Sequence, residues 1–391
     1  RTQKNLELVE SFSGDKKGIT LFTILNETTT PMGSRLLSQW IRQPLLSSQL
    51  ISERYEALDD LLTNQDCLSK LQSHLKQIRD MERLLSKITC GVCSAREVVA
   101  LKESLIEVPV IKNTIAPLKA PLIKKQSQEL FDLKDLVTLI ERSLVADPPF
   151  STKEGGFIKK GYHAALDELR DKAQNGKKWI TGFQSSERQK TGVKSLKVSY
   201  NRVFGYYIEV TKPNLSLVPE HYIRKQTLVN SERFITSELK EMENSILGAE
   251  EKAHALESEL FEEIRQTLLN YIPEVQRISE ALANLDVLAS LAKVAHRRNY
   301  LKPEIDQSSA IVIKGGRHPV VEQVLEEGHF IENDTWIDQA SHQLLIITGP
   351  NMAGKSTYIR QVALMVIMAQ IGSFVPAAYA RMGITDKIFT R

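Results

Sequence analysis

Residues 344 to 361 read LLIITGPNMAGKSTYIRQ: an apolar run, a loop bounded by glycines, then helix-forming residues. Gly349, Pro350, Asn351, Met352, Ala353, Gly354, Lys355 and Ser356 satisfy the spacing GxxxxGK[ST]. Leu344 to Thr348 predicts a buried parallel strand, and Thr357 to Gln370 a helix stopped by Gly372. Each residue type has a task at that spacing. Glycines let the backbone curl with its N–H groups around a phosphate, and the following helix turns its positive end to the same charge. Lys355 then reaches the outer phosphates, the Ser356 hydroxyl ligates Mg²⁺, and Asn351 donates to the last phosphate. The stretch from Gly349 to Thr357 therefore predicts a site for ATP or ADP with Mg²⁺, Lys355 and Ser356 being the pair nearest the chemistry. Hydrolysis needs more, namely an acid at the end of a neighbouring apolar strand. After Thr357 the sole acid is Asp386, in MGITDKIFTR, which lacks such a run. Binding without turnover is the expectation for this chain alone.

Composition bounds the rest. A chain of 391 residues accommodates two or three domains, and 42% hydrophobic with 25% charged residues reads as globular. No window is apolar for the eighteen or so residues that a membrane span needs. A net charge of +3 names no partner. The sequence opens on Arg1 without a leader and stops at FTR, and reads as an internal piece of a larger intracellular protein. Cys67, Cys90 and Cys93 are too few for a disulfide framework; Cys90 and Cys93 make a CxxC, but helical flanks and the lack of further ligands favour two unremarkable thiols.

The first 150 residues are helical in pattern. In TTTPMGSRLLSQWIRQPL, Thr30 stands as an N-cap with Pro31 at the first helical position, and Leu36, Leu37, Trp40 and Ile41 share a face. Amphipathic stretches follow at 50 to 63, 67 to 88, 95 to 106 and 131 to 144, and DPPFSTKEGGF (147 to 157) reads as a connection. Two long helices come next. From 235 to 271 apolar residues fall at Ile235, Leu239, Met242, Ile246, Ala249, Ala253, Leu256, Leu260 and Ile264; from about 157 to 185 they fall at Tyr162, Ala165, Leu169, Ala173 and Ile180. Steps of three and four predict an antiparallel zipped pair. Between them the period becomes two in LKVSY and YYIEV, which predicts a small β-module. Residues 188 to 230 hold eight bases and two acids, a net of 8 − 2 = +6, whereas 235 to 271 hold three bases and nine acids, 3 − 9 = −6. A basic module on an acidic stalk points to a polyanion such as nucleic acid.

Several stretches together carry a resemblance: RTQKNLEL, TPMGSRLLSQWIRQPL, GGFIKKGY, FGYYIEVTK, RKQTLVNSERF, GGRHPVVEQ and ITGPNMAGKSTYIRQ. The chain resembles the MutS family of DNA mismatch-recognition ATPases, its bacterial members in particular, nearly end to end and in family order. The resemblance implies a multidomain, mainly α-helical protein. Residues 1–186 would be a helical core with an ascending lever helix and 187–246 an inserted β-rich clamp. Residues 247–298 would be the descending lever, and 299–391 the start of an incomplete α/β P-loop ATPase domain of ABC type. It further implies that the clamp grips double-stranded DNA by its backbone, through Asn201, Lys225 and Asn230, with Val229 where relatives often carry lysine. Phe330 would stack on adenine, and Ala353 replaces a glycine usual in the family's loop. A DNA-dependent ATPase of the bacterial cytoplasm, a homodimer and a downstream repair ATPase partner of the MutL type follow by the same resemblance. A junction-binding clamp without mismatch recognition is the alternative within the family.

Overall fold

The computed structural model describes residues 1–10, 18–151, 154–201, 203–325, 330–350 and 353–390. Thirteen helices are described: α1 (Thr2–Asn5), α2 (Leu21–Leu25), α3 (Pro31–Arg42), α4 (Ser48–Thr63), α5 (Gln65–Leu75), α6 (Met81–Thr89), α7 (Ala95–Ile115), α8 (Pro121–Gln128), α9 (Lys134–Ser143), α10 (Ala164–Thr191), α11 (Ser237–Leu269), α12 (Ile272–Arg298) and α13 (Lys355–Gln370). Eight strands join them: β1 (Lys197–Asn201), β2 (Gly205–Thr211), β3 (Ile223–Thr227), β4 (Ser231–Ile235), β5 (Glu304–Asp306), β6 (Ile311–Gly316), β7 (Asn333–Ile337) and β8 (Tyr379–Gly383). The chain divides into two compact units, one of Arg1–Val92, Ala100–Val137 and Asn270–Arg391, the other of Cys93–Val99 and Thr138–Leu269.

The first unit is built round α12. EALANLDVLASLAKVA is apolar on every side, so the helix must be enclosed, and α3, α4, α5, α6 and α8 all pack against it. α3 starts as its sequence predicts, with the Thr30 hydroxyl accepting from Gly33 N at 3.0 Å and Pro31 at N1. The stretch 67–88 is two helices rather than one, because the Asp80 carboxylate caps a new start by accepting from Arg83 N. A mixed sheet of order β5-β8-β6-β7 belongs to this unit; only β5 and β8 run parallel. The strand expected at Leu344–Thr348 is not formed, and Leu344 and Ile346 are 79% and 82% exposed. An apolar run becomes a central parallel strand only between hydrogen-bonding neighbours. Among the described residues the four strands of this sheet pair with one another and none pairs with 344–348. The α/β layering expected there is correspondingly absent from the described residues.

In the second unit α10 and α11 pack antiparallel, as Gly176 against Ile246, Lys177 with Glu250 and Arg170 with Glu257 require. The seam differs from the expected one. α10 begins at Ala164, after Gly161 at φ +87°, so its buried positions are Leu166, Ala173, Gly176, Ile180, Phe183, Glu187 and Thr191; Tyr162, Ala165 and Leu169 are not among them. On α11 the seam takes Glu243 and Glu257 where apolar spacing favours Met242 and Leu256. These acids are buried because each meets donors. Glu257 accepts from Gly156 N at 2.8 Å and from Ile158 N, and pairs with Arg170. Glu243 accepts from Tyr206 N at 2.9 Å and from Lys240, and Glu187 accepts from the Tyr222 hydroxyl at 2.6 Å. Part of the acidic stalk is therefore internal mortar.

Between these helices lies an antiparallel sheet of order β1-β2-β4-β3, with twice the two strands that LKVSY and YYIEV announce. Ile208, Val210 and Phe234 on its inner face share a core with Ile180, Phe183, Leu239 and Ile246 of the helices.

Candidate functional site

The glycine loop meets α13 at Gly354, whose φ of +82° is left-handed and serves as the helix N-cap. Lys355 follows immediately, and its ammonium donates to the carbonyls of Gly349 and of Pro350, the latter at 2.9 Å. Beside it opens a cavity of about 580 Å³ walled by Phe330, Ala353, Gly354, Lys355 and Thr357 together with Val321, Asn333 and Tyr358. No acid lines it. The structure thus brings Phe330, distant in sequence, to the loop, and links Gly349 and Pro350 to it through Lys355. Ser356 is exposed on the first turn of α13 and is not part of the cavity wall. Asn351 and Met352 lie outside the described residues.

Tyr358 belongs to this wall although the loop pattern does not include it. Its hydroxyl meets the Thr335 hydroxyl at 2.9 Å and donates to Asp334 O at 3.1 Å, tying α13 to β7. Helical spacing was the available signal, since Tyr358 lies three residues after Lys355 and so shares its face. Val321 is placed by the GGRHPVVEQ turn. There the buried His318 Nδ1 accepts from Val320 N and Val321 N, each at 3.2 Å, and Arg317 pairs with Glu322 at 2.8 Å.

Burial, and then the charge of Arg360, pull the His318 pKa down to about 4. In an unfolded chain histidine takes its proton near ~6.5. Between those values the unfolded state binds more protons. Stability is therefore full above pH ~6.5 and declines as pH falls toward 4, by roughly 3 kcal/mol at ~1.4 kcal/mol per unit. Denaturant titrations from pH ~7 to ~4.5 should show this decline in the wild type and a shallower one in His318→Asn. Parallel slopes would contradict the assignment.

On the β-module of the other unit, Asn201, Lys225 and Asn230 occupy one sheet but not one patch. Asn201 pairs with Gly205 at one end of β2, and its side chain accepts from Val203 N at 2.8 Å. Asn230 lies past the other end of β2, where its carbonyl accepts from Lys212 N at 3.1 Å. Lys225 is exposed at a bulge in the edge strand β3, between Arg224 and Gln226. Val229 is 84% exposed beside Asn230. Lys194, Lys197, Lys212 and Lys225 are all exposed with no carboxylate partner among the described residues, whereas Arg224 and Lys190 are spent on Glu232 and Glu187. The surplus positive charge on this module is free to meet an anion.

Comparison with known sequences decides the family. The model for MutS domain III matches residues 1–292, three quarters of the chain, and that for MutS domain V matches residues 345–391. The chain belongs to the MutS family. It is 53% identical over 390 residues to the DNA mismatch repair protein MutS of Alkaliphilus oremlandii, covering 100% of this chain and 44% of that protein. The MutS of Ruminiclostridium cellulolyticum is 50% identical over 390 residues, with 100% and 45% covered. That of Methanosarcina barkeri is 48% identical over 394 residues, with 100% and 44% covered. The chain spans less than half the length of these MutS relatives. Helices α1 to α11, the β-module and most of α12 fall inside the domain III match, and the loop with α13 inside the domain V match.

Proposed function

We propose that this chain is part of an ATP-dependent DNA mismatch-recognition protein in which nucleotide at the 349–357 loop governs how a basic β-module grips duplex DNA. The observation that carries the nucleotide half is Lys355, an ammonium that donates to two loop carbonyls, at the positive end of α13 and beside a cavity with no acid among its described lining residues. That donor set fits a polyphosphate. Lys355 would turn from the carbonyls to the outer phosphates, Ser356 would hold Mg²⁺ by its hydroxyl, and Phe330 would stack on the base. When bound with Mg²⁺, ATP supplies the free energy of its phosphoanhydride bond. Asp386 is exposed and outside the cavity wall, so binding rather than turnover is assigned to the residues of this chain.

For the DNA half, Lys225, Asn230 and Asn201 would touch phosphates and sugars, which hold a duplex in place without reading its sequence. Family membership supports this reading, and extends it to a homodimer in the bacterial cytoplasm that hands on to a MutL-type partner. Lys225→Ala in the full-length protein should weaken binding about equally for matched and mismatched duplexes and lower the salt slope by about one. A loss confined to mismatched DNA would argue against backbone gripping. Equal affinity of the wild type for matched and mismatched duplexes would favour the junction-clamp alternative.

A further inference from the structure

The helix that begins at the phosphate loop is fastened at its other end to the helical body. The Tyr55 hydroxyl donates to Ala369 O at 2.7 Å, and Arg54 Nη1 donates to Ile371 O at 2.6 Å. Leu45 N donates to Gln370 O at 3.0 Å, and the Gln370 amide returns a bond to Leu45 O at 2.8 Å. These carbonyls are the orphans that every helix leaves at its C-terminus, and here α4 and the segment before it satisfy them.

Arg54 is unusual among these partners. It is largely buried, no carboxylate pairs with it among the described residues, and burial pulls its pKa down to about 9, which leaves it charged at neutral pH. Two features offset that charge. The guanidinium lies 3.2 Å from the centre of the Trp40 ring, and it faces the negative end of α13. Gly372, at φ +86°, admits the arginine stem; a Cβ there would come within 2.5 Å of Arg54 Cβ. α13 itself carries no glycine or proline over its sixteen residues, and Leu364 to Gln370 are buried, so it is a stiff rod.

We propose that Arg54 and Tyr55 form a coupling joint, fixing the C-terminal end of α13 to α4 so that a change at the phosphate loop is transmitted into the helical body instead of being absorbed by a sliding helix. This rests on reading the 349–357 loop as a nucleotide site. Both are positioning residues, since neither lines the cavity of that site. Trp40 carries the contact on to α3 and Tyr55 to the interior of α4.

The test uses full-length protein, a fluorescent ATP analogue for binding, and a labelled duplex whose release on ATP addition is timed. Arg54→Met should keep ATP affinity while the ATP-induced acceleration of duplex release falls at least ~5-fold, the lower range of allosteric couplings. Arg54→Lys should restore part of it. Tyr55→Phe, which removes only a hydroxyl and guards against a fold defect in the arginine variant, should show a smaller loss in the same direction. Release as fast as the wild type in either Arg54→Met or Tyr55→Phe overturns the joint, and so does loss of ATP affinity in step with release. If the wild type itself binds no ATP, or Lys355→Ala releases normally, the nucleotide reading has failed instead, and the joint falls with it.

Discussion

Lys355→Ala in the full-length protein is expected to abolish nucleotide-dependent release from DNA while leaving nucleotide-free DNA affinity intact. Among the described residues of the cavity wall, the ammonium is the one cationic side chain. Charge-assisted hydrogen bonds contribute about 1.5–3 kcal/mol each, so its removal should weaken ATP binding by roughly 10- to 100-fold. The lysine's present acceptors are carbonyls of its own loop, which have other ways to be solvated, so the fold should tolerate alanine. Stopped-flow release of a labelled duplex is the readout. Unaltered release at saturating ATP would count against Lys355 as the phosphate contact.

The second large effect is on stability. Asp286→Ala should destabilise the protein by about 4 kcal/mol, a sizeable part of the ~5–15 kcal/mol that holds a domain folded. Asp286 is fully buried in α12 and accepts from Thr29 N at 2.9 Å, Thr30 N at 2.8 Å and the Thr30 hydroxyl at 2.6 Å. That same hydroxyl caps α3. Alanine would strand two amides, that of Thr30 buried and that of Thr29 part-buried, each costing ~1–3 kcal/mol, and leave a void beside them. Asp286→Asn retains one acceptor oxygen and should cost less. Urea titration of both variants checks the order, and an alanine variant within ~1 kcal/mol of wild type would contradict it.

This pair of sites also shows what the sequence could and could not convey. Thr30 as a cap with Pro31 after it is local grammar, readable from four residues. The acid that closes the arrangement lies 256 positions away in an apolar helix, where spacing alone gives no sign of a partner. The seam of α10 and α11 failed for a similar reason. Periodicity chose Met242 and Leu256 because they are apolar, whereas burial went to Glu243 and Glu257, whose backbone donors, Tyr206 N of β2 and Gly156 N, lie far away in sequence. The glycine loop ahead of α13 was legible as a pattern, because GxxxxGK[ST] puts particular residues at fixed offsets. Phe330 and the three DNA-facing candidates came from family resemblance rather than from pattern. Only coordinates could place Phe330 beside Lys355, or set Asn201 and Asn230 at opposite ends of β2. The run at 344–348 is the opposite case, a strand pattern with no pairing strand among those described.

The most direct test is a crystal structure of the full-length protein with Mg²⁺ and a non-hydrolysable ATP analogue. The expected result is phosphate density against the first-turn amides of α13, with Lys355 drawn off the Gly349 and Pro350 carbonyls and the base against Phe330. Density for the analogue elsewhere, with Lys355 still bound to those carbonyls, would contradict the account.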